Sequence, residues 1–217
     1  MSRVVAKRKV DTNTMLLEAA KKVLGKDGFS GLSTRGVATV ANVPLSQIHY
    51  HFGSKEGLVL ALFEYLNAQL LDRQHAMFNN PDLRLSEQWE LACSYLDEDL
   101  ASGYVRVLQE LWAAGYSNPH IAKVVRDGLL AWQRLLTKVV REAEGGFGPD
   151  PAFEPEELAA LVGATFIGSE AYILLGVEKP GVPIRESLRK VGKLIRKLET
   201  NGASSQDKEK PAATLKR

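Results

Sequence analysis

The chain holds 217 residues, 45% hydrophobic and 25% charged, an ordinary balance for a globular protein that can bury its own core. A single cysteine, Cys93, excludes an internal disulfide; no early apolar run resembles a signal peptide; and no stretch reaches the roughly 18–20 uninterrupted apolar residues of a membrane span, so a cytoplasmic protein is expected. The net charge of +2 conceals an asymmetry: residues 1–55 carry nine Lys/Arg against three Asp/Glu and the remainder nineteen against twenty-three, which suggests an anionic partner at the N-terminal end, either nucleic acid or a membrane surface.

Residues 1–10, with Arg3, Lys7, Arg8 and Lys9, lack periodicity and read as a flexible basic arm. Leu16, Ala19, Ala20, Val23 and Leu24 then recur at i, i+3, i+4, i+7 and i+8, one face of a helix. Asp11, Thr12 or Asn13 can cap its start and Gly28 can end it, with Phe29 and Leu32 as core anchors beyond. Ser33 caps a short second helix to about Val40. Ala41-Asn42-Val43 is a tight turn, since Asn tolerates the left-handed conformation, and Pro44 suits the first turn of a third helix running to about His51. Gly53 breaks that helix, Ser54 caps the next, and Lys55-Glu56 open a long one with Leu58, Leu62, Phe63 and Leu66 on one side. Asn79–Asp82 is a connector. Helices follow over Ser86–Ser102, Tyr104–Tyr116, Asn118-Pro119 to about Glu144, Pro155 to about Gly176, and Ile184–Leu198. Gly145–Pro151 is a loop by composition, Lys179–Pro183 is a break, and residues 200–217 read as a disordered tail. No strand and no internal repeat is evident.

Three short helices with a tight turn between the second and third form a helix-turn-helix pattern. The first two must bury one face and hold the third, so that its outer face fits a major groove about 12 Å wide. Val37, Val43, Ile48 and Phe52 can lock such a unit, leaving Ser46, Gln47, His49 and Tyr50 facing outward, able to reach base edges, thymine methyls or phosphates. His49 and His51 stand at i, i+2, on different helix faces, unlike the i, i+4 pair that can share a zinc, so neither metal nor cofactor is expected.

Leu32-Ser33-Thr34-Arg35-Gly36-Val37-Ala38, then Ala41-Asn42-Val43, then Ile48-His49-Tyr50-His51-Phe52-Gly53-Ser54-Lys55-Glu56-Gly57-Leu58 resemble the DNA-binding domain of the tetracycline-repressor (TetR) family. The resemblance is specific over roughly residues 11–66; beyond them it covers helix number, lengths and order. It implies a homodimer whose C-terminal domain binds a ligand that alters DNA affinity. It also implies contacts to phosphates or bases from Tyr50, His51 and Lys55, backbone contacts from Thr34 and Arg35, and sequence choice from Ser46 and Gln47. With Pro44, Leu45 and His49 these are the candidate DNA-binding residues. The chain departs from the pattern at Asn42, where Gly is frequent, at Pro44, where Ser or Thr is frequent, and at His49, where Tyr is frequent.

The expected fold is all-α. A helix-turn-helix domain spans residues 11–57 and a helical regulatory and dimerisation domain 58–199. Ala159, Ala160, Gly163, Ala164, Gly168 and Ala171 let helix 155–176 approach a partner closely. A membrane helix would use small residues too, but Glu156, Glu157 and Glu170 argue against spanning. Together with Ile184, Leu188, Val191, Leu194, Ile195 and Leu198 of helix 184–198, this helix is expected to form a two-fold four-helix bundle, as the family's last two helices do. Trp89, Cys93, Trp112, Tyr116, Trp132, Phe166 and Glu170 are the candidate ligand-binding residues, with Tyr104, Tyr172, Gln109, Glu110 and Gln133 as further lining or orienting groups, for a hydrophobic, aromatic or cationic effector. The expected function is transcriptional regulation, most simply a repressor on a palindromic operator. A sequence-independent DNA-packaging protein is one rival. An all-helical enzyme is the other, although no nucleophile–base pair or phosphate loop stands out, and Asp97, Glu98 and Asp99 point different ways from one helix.

Overall fold

The computed structural model describes residues 11–147 and 153–206; the basic arm, most of the glycine-rich loop and residues 207–217 lie outside the described residues. Among those described the fold is all-α. The helices are α1 (Thr12–Gly31), α2 (Thr34–Ala41), α3 (Leu45–Phe52), α4 (Lys55–Phe78), α5 (Leu85–Ala101), α6 (Tyr104–Ser117), α7 (Pro119–Phe147), α8 (Pro155–Leu174) and α9 (Ile184–Gln206). Two stretches expected to be irregular are helical. Gly145–Phe147 prolong α7 despite two glycines, and residues 200–206 prolong α9 into the segment expected to be a disordered tail. A helix already many turns long adds a hydrogen bond per residue without renewed nucleation, which offsets weak local propensity.

The chain packs as two compact units. Among the described residues, the first contains residues 11–70 together with Ser102–Gly128, and the second contains Leu71–Ala101 and those from Leu129 onward. α6 and the start of α7 therefore pack with the helix-turn-helix. In this unit α1 lies against both α2 and α6, and α2 against α3. Leu16, Leu24, Leu32, Val37, Ile48, Leu58, Leu62, Leu66 and Leu111 are fully buried. At ~2 kcal/mol for each such side chain, this is the term that holds the motif. Tyr104 sits within the same core and donates its hydroxyl to the Leu66 carbonyl at 2.7 Å.

In the second unit α5 packs on α8 and α9. Cys93, Leu96 and Leu188 form its buried cluster, flanked by Trp89, Leu100, Phe166 and Ile173. Polar bonds tie its edges. Ser86 donates its backbone N–H and its hydroxyl to the Glu199 carboxylate at 3.0 and 2.6 Å, and Asp97 accepts from both Arg185 and Arg189. Pro155 begins α8, where the Glu157 carboxylate accepts the Glu154 N–H at 2.9 Å.

The small residues of α8 divide between two faces. Ala159 and Gly163 turn inward, Gly163 against Trp132, Gln133 and Leu136 of α7. Ala160, Ala164 and Gly168 are exposed, along with Leu158, Leu161 and Tyr172. On α9 Val191, Leu194 and Leu198 are exposed, but Leu188, expected at a dimer surface, is buried in its own unit against Cys93 and Leu96. Among the described residues α8 is the one helix long and apolar enough to cross a membrane, and little of it is buried within the chain.

Candidate nucleic-acid interface

The helix-turn-helix is built as its residues dictate. Ser33 caps α2 by accepting the Gly36 N–H at 3.1 Å. Asn42 ends α2 in the left-handed region (φ 54°, ψ 47°). Val43 N–H returns to the Ala38 carbonyl and Asn42 N–H to the Thr39 carbonyl, a Schellman closure that an αL residue makes possible. Pro44 stands at the N-cap of α3 rather than inside its first turn, and no side chain caps this end; the Gln47 N–H reaches the Pro44 carbonyl at 3.0 Å. Gly53 ends α3, and Ser54 caps α4 through the Gly57 N–H at 3.0 Å.

α3 is anchored by a single fully buried side chain, Ile48, at 0% exposure. Around it Leu45, Gln47, His51 and Phe52 are half-buried, and Pro44, Ser46, His49 and Tyr50 are exposed, Tyr50 to 81%. An 81% exposed tyrosine leaves most of an apolar ring in water, as an interaction surface does. Its ring meets His51 edge-on at 5.0 Å, and His51 in turn meets Phe52 at 6.0 Å. Beside the turn, Arg35, Ala38, Thr39, Asn42, Val43, Pro44 and Leu45 line an open concavity of about 620 Å³. Arg35 is exposed at its rim and Thr34 is half-buried beside it.

Two side chains have partners that the sequence did not suggest. His49 Nδ1 lies 3.2 Å from the Gly53 carbonyl oxygen. That oxygen can only accept, so in this contact Nδ1 is the donor. Lys55 donates from Nζ to the Phe29 carbonyl at 3.3 Å and stands 5.0 Å over the Phe29 ring, half-buried instead of free on the surface.

The candidate effector residues do not form one group. Trp89, Cys93 and Phe166 come together in the second unit, the two rings 5.4 Å apart and edge-to-face, with Trp89 Nε1 donating to the Leu188 carbonyl at 2.8 Å. Burial pushes the Cys93 thiol up to about 11. Trp132, in the same unit, donates to Gln74 Oε1 at 2.6 Å, and Glu170 is half-buried on α8. Trp112 belongs to the first unit, where its Nε1 and Gln109 Nε2 are buried without an acceptor among the described residues. Tyr116 is 92% exposed at the end of α6 and lines no enclosed site. Glu110 is committed to the Phe29 backbone and Tyr104 to the Leu66 carbonyl, so neither is free to orient a ligand.

Residues 16–62 match the family model described as bacterial regulatory proteins, tetR family. Over that segment the chain is similar to the TetR family. Among curated relatives, the HTH-type transcriptional regulator UidR of Escherichia coli is 24% identical over 147 residues, covering 64% of this chain and 70% of UidR. The HTH-type transcriptional repressor NicS of Pseudomonas putida is 34% identical over 74 residues, covering 34% of this chain and 31% of NicS. Likeness to solved structures extends over most of the chain. The transcriptional regulator FadR of Bacillus subtilis, in complex with stearoyl-CoA, superposes with a TM-score of 0.68 at 16% identity, covering 82% of this chain and 96% of FadR. At that identity the likeness concerns the fold. The chain thus carries a tetR-family segment over residues 16–62, and its fold is an N-terminal helix-turn-helix followed by a C-terminal helical domain.

Proposed function

We propose that this regulator is a repressor: a homodimer that occupies a palindromic operator and leaves it when a small molecule binds. The observation that carries the reading is α3 itself, pinned by Ile48 on one side and presenting Ser46, His49 and Tyr50 on the other. An eight-residue helix with so little of itself buried has a free face of the size a major groove admits. Ser46, Gln47 and His49 are assigned to base edges. Tyr50 and His51, together with Thr34, Arg35, Pro44 and Leu45 beside the concavity, are assigned to phosphates and sugars.

Dimerisation through α8 and α9 is supported by the apolar surface the two helices leave uncovered, in which Leu161 is 51% and Leu194 57% exposed. A second copy would cover it and set two α3 helices for successive grooves, about 34–36 Å apart. An effector is supported by the buried donors of Trp112 and Gln109 on α6, each costing about 1–3 kcal/mol while unpaired. A hydrophobic molecule carrying an acceptor would satisfy them. Repression follows from occupancy, because a dimer seated on a promoter obstructs polymerase. We assign it to the cytoplasm, where an operator-binding protein meets its DNA.

The test is selection of duplexes from a random pool by the full chain, followed by gel shifts. One inverted repeat preferred over unrelated DNA by roughly 10³ or more is expected. Equal binding of all fragments would identify a packaging protein.

A further inference from the structure

The irregular end of α1 is gripped from two sides. Gly28 breaks the helix at φ 69°, which turns the Phe29 N–H away from the helix ladder. That N–H donates to the Glu110 carboxylate of α6 at 2.9 Å. A Cβ on Gly28 would stand 3.3 Å from Glu110 Oε1, so the close approach of the carboxylate depends on glycine as much as the positive φ does. The other polar group of Phe29, its carbonyl, accepts from Lys55 Nζ at 3.3 Å, while the ammonium covers the Phe29 ring. Both of these bonds have a charged partner and both are half-buried, which puts them among the stronger kind. Lys55 is the first residue of α4, three positions beyond the end of α3; Glu110 lies 55 residues further along, on the helix that α1 packs against.

We propose that Glu110 and Lys55 are positioning residues for DNA binding: through the backbone of Phe29 they fix α1, and with it the helix-turn-helix, against α6, and Lys55 serves in this clasp instead of as a phosphate ligand. The inference rests on the reading of α3 as the DNA-binding helix. It runs against simple charge arithmetic, since Glu110 is an anion whose removal ought to favour DNA.

The probe is the duplex that the wild-type chain selects from the random pool, titrated at several salt concentrations with full-length variants. Glu110→Ala and Lys55→Met should each weaken binding about tenfold or more, the loss of one charge-assisted bond. The double variant should be no worse than the weaker single, because both act on one residue. The slope of log affinity against log salt should stay that of wild type, and Glu110→Gln, which keeps an acceptor oxygen, should retain most of the affinity. Hydrogen exchange at the Phe29 amide, read without DNA, should be slow in wild type and fast in Glu110→Ala. Two results would overturn the proposal: Glu110→Ala binding as tightly as wild type or more so, or Lys55→Met lowering the salt slope by about one, the mark of a lost phosphate contact. If Glu110→Ala does not fold, the Lys55→Met slope and Glu110→Gln affinity decide it. A wild type that prefers no duplex would sink the regulator reading, whereas an unprotected Phe29 amide in wild type would sink the clasp alone.

Discussion

Single side chains of α3 divide into those that hold it and those that are offered. Gln47→Ala is expected to relax base preference by about 1–3 kcal/mol at one operator position, measured by competition among single-base variants of the selected duplex; equal losses on every sequence would assign Gln47 to phosphate. Gly57 shows how tightly α4 follows α3. A Cβ there would stand 2.1 Å from the Phe52 carbonyl oxygen, so Gly57→Ala must push the end of α3 away from α4. A stability loss of about 1–3 kcal/mol is expected in denaturant titration, and an unchanged midpoint would contradict the contact. Cys93 is inert by burial: its thiol, pushed up to about 11, stays protonated at neutral pH. Thiol-reactive dye should therefore label it only when the chain unfolds, and rapid labelling of the native protein would show the site to be open. The cap Ser33, the αL turn at Asn42 and the core face Leu58, Leu62, Phe63 and Leu66 were all legible in the sequence, because each is fixed by neighbours within a few positions. The bonds of Glu110 and Lys55 to Phe29 were not, since separations of 81 and 26 residues leave no local periodicity to read.

At the scale of helices, the 3.6-residue pattern foretold where each element lies but not which face meets which neighbour. Leu188 and Leu194 look alike along α9, yet the first is buried against Cys93 and Leu96 and the second is exposed. The same holds on α8, where a Cβ at Gly163 would meet Trp132 while one at Gly168 would meet nothing within 4 Å. The two long helices also outran their expected ends, because composition marks residues that disfavour helix without telling whether a helix already under way will absorb them. The exposed leucines give the element-scale prediction. Leu161→Glu or Leu194→Glu should yield a monomer by mass in solution, with helical content retained, because each places a charge on the face assigned to the second copy. A persistent dimer in both variants would put the interface elsewhere, and a wild-type protein that partitions onto lipid vesicles would instead mark α8 as a membrane surface.

For the whole molecule, the charge asymmetry and the unpartnered surfaces agree. The basic first quarter carries α3, and the acidic remainder carries the apolar faces of α8 and α9. A regulator of this build needs two arrangements that differ in DNA affinity, and an effector can shift them only by binding one better than the other. The central claim is that α3 enters the groove. A photo-crosslinking group at Ser46, on the exposed face, measures this most directly on the selected duplex. Crosslinks to bases at two symmetric positions, about one helical turn apart, are predicted. Crosslinks that fall at random along the duplex, or none from α3 while the protein remains bound, would contradict it.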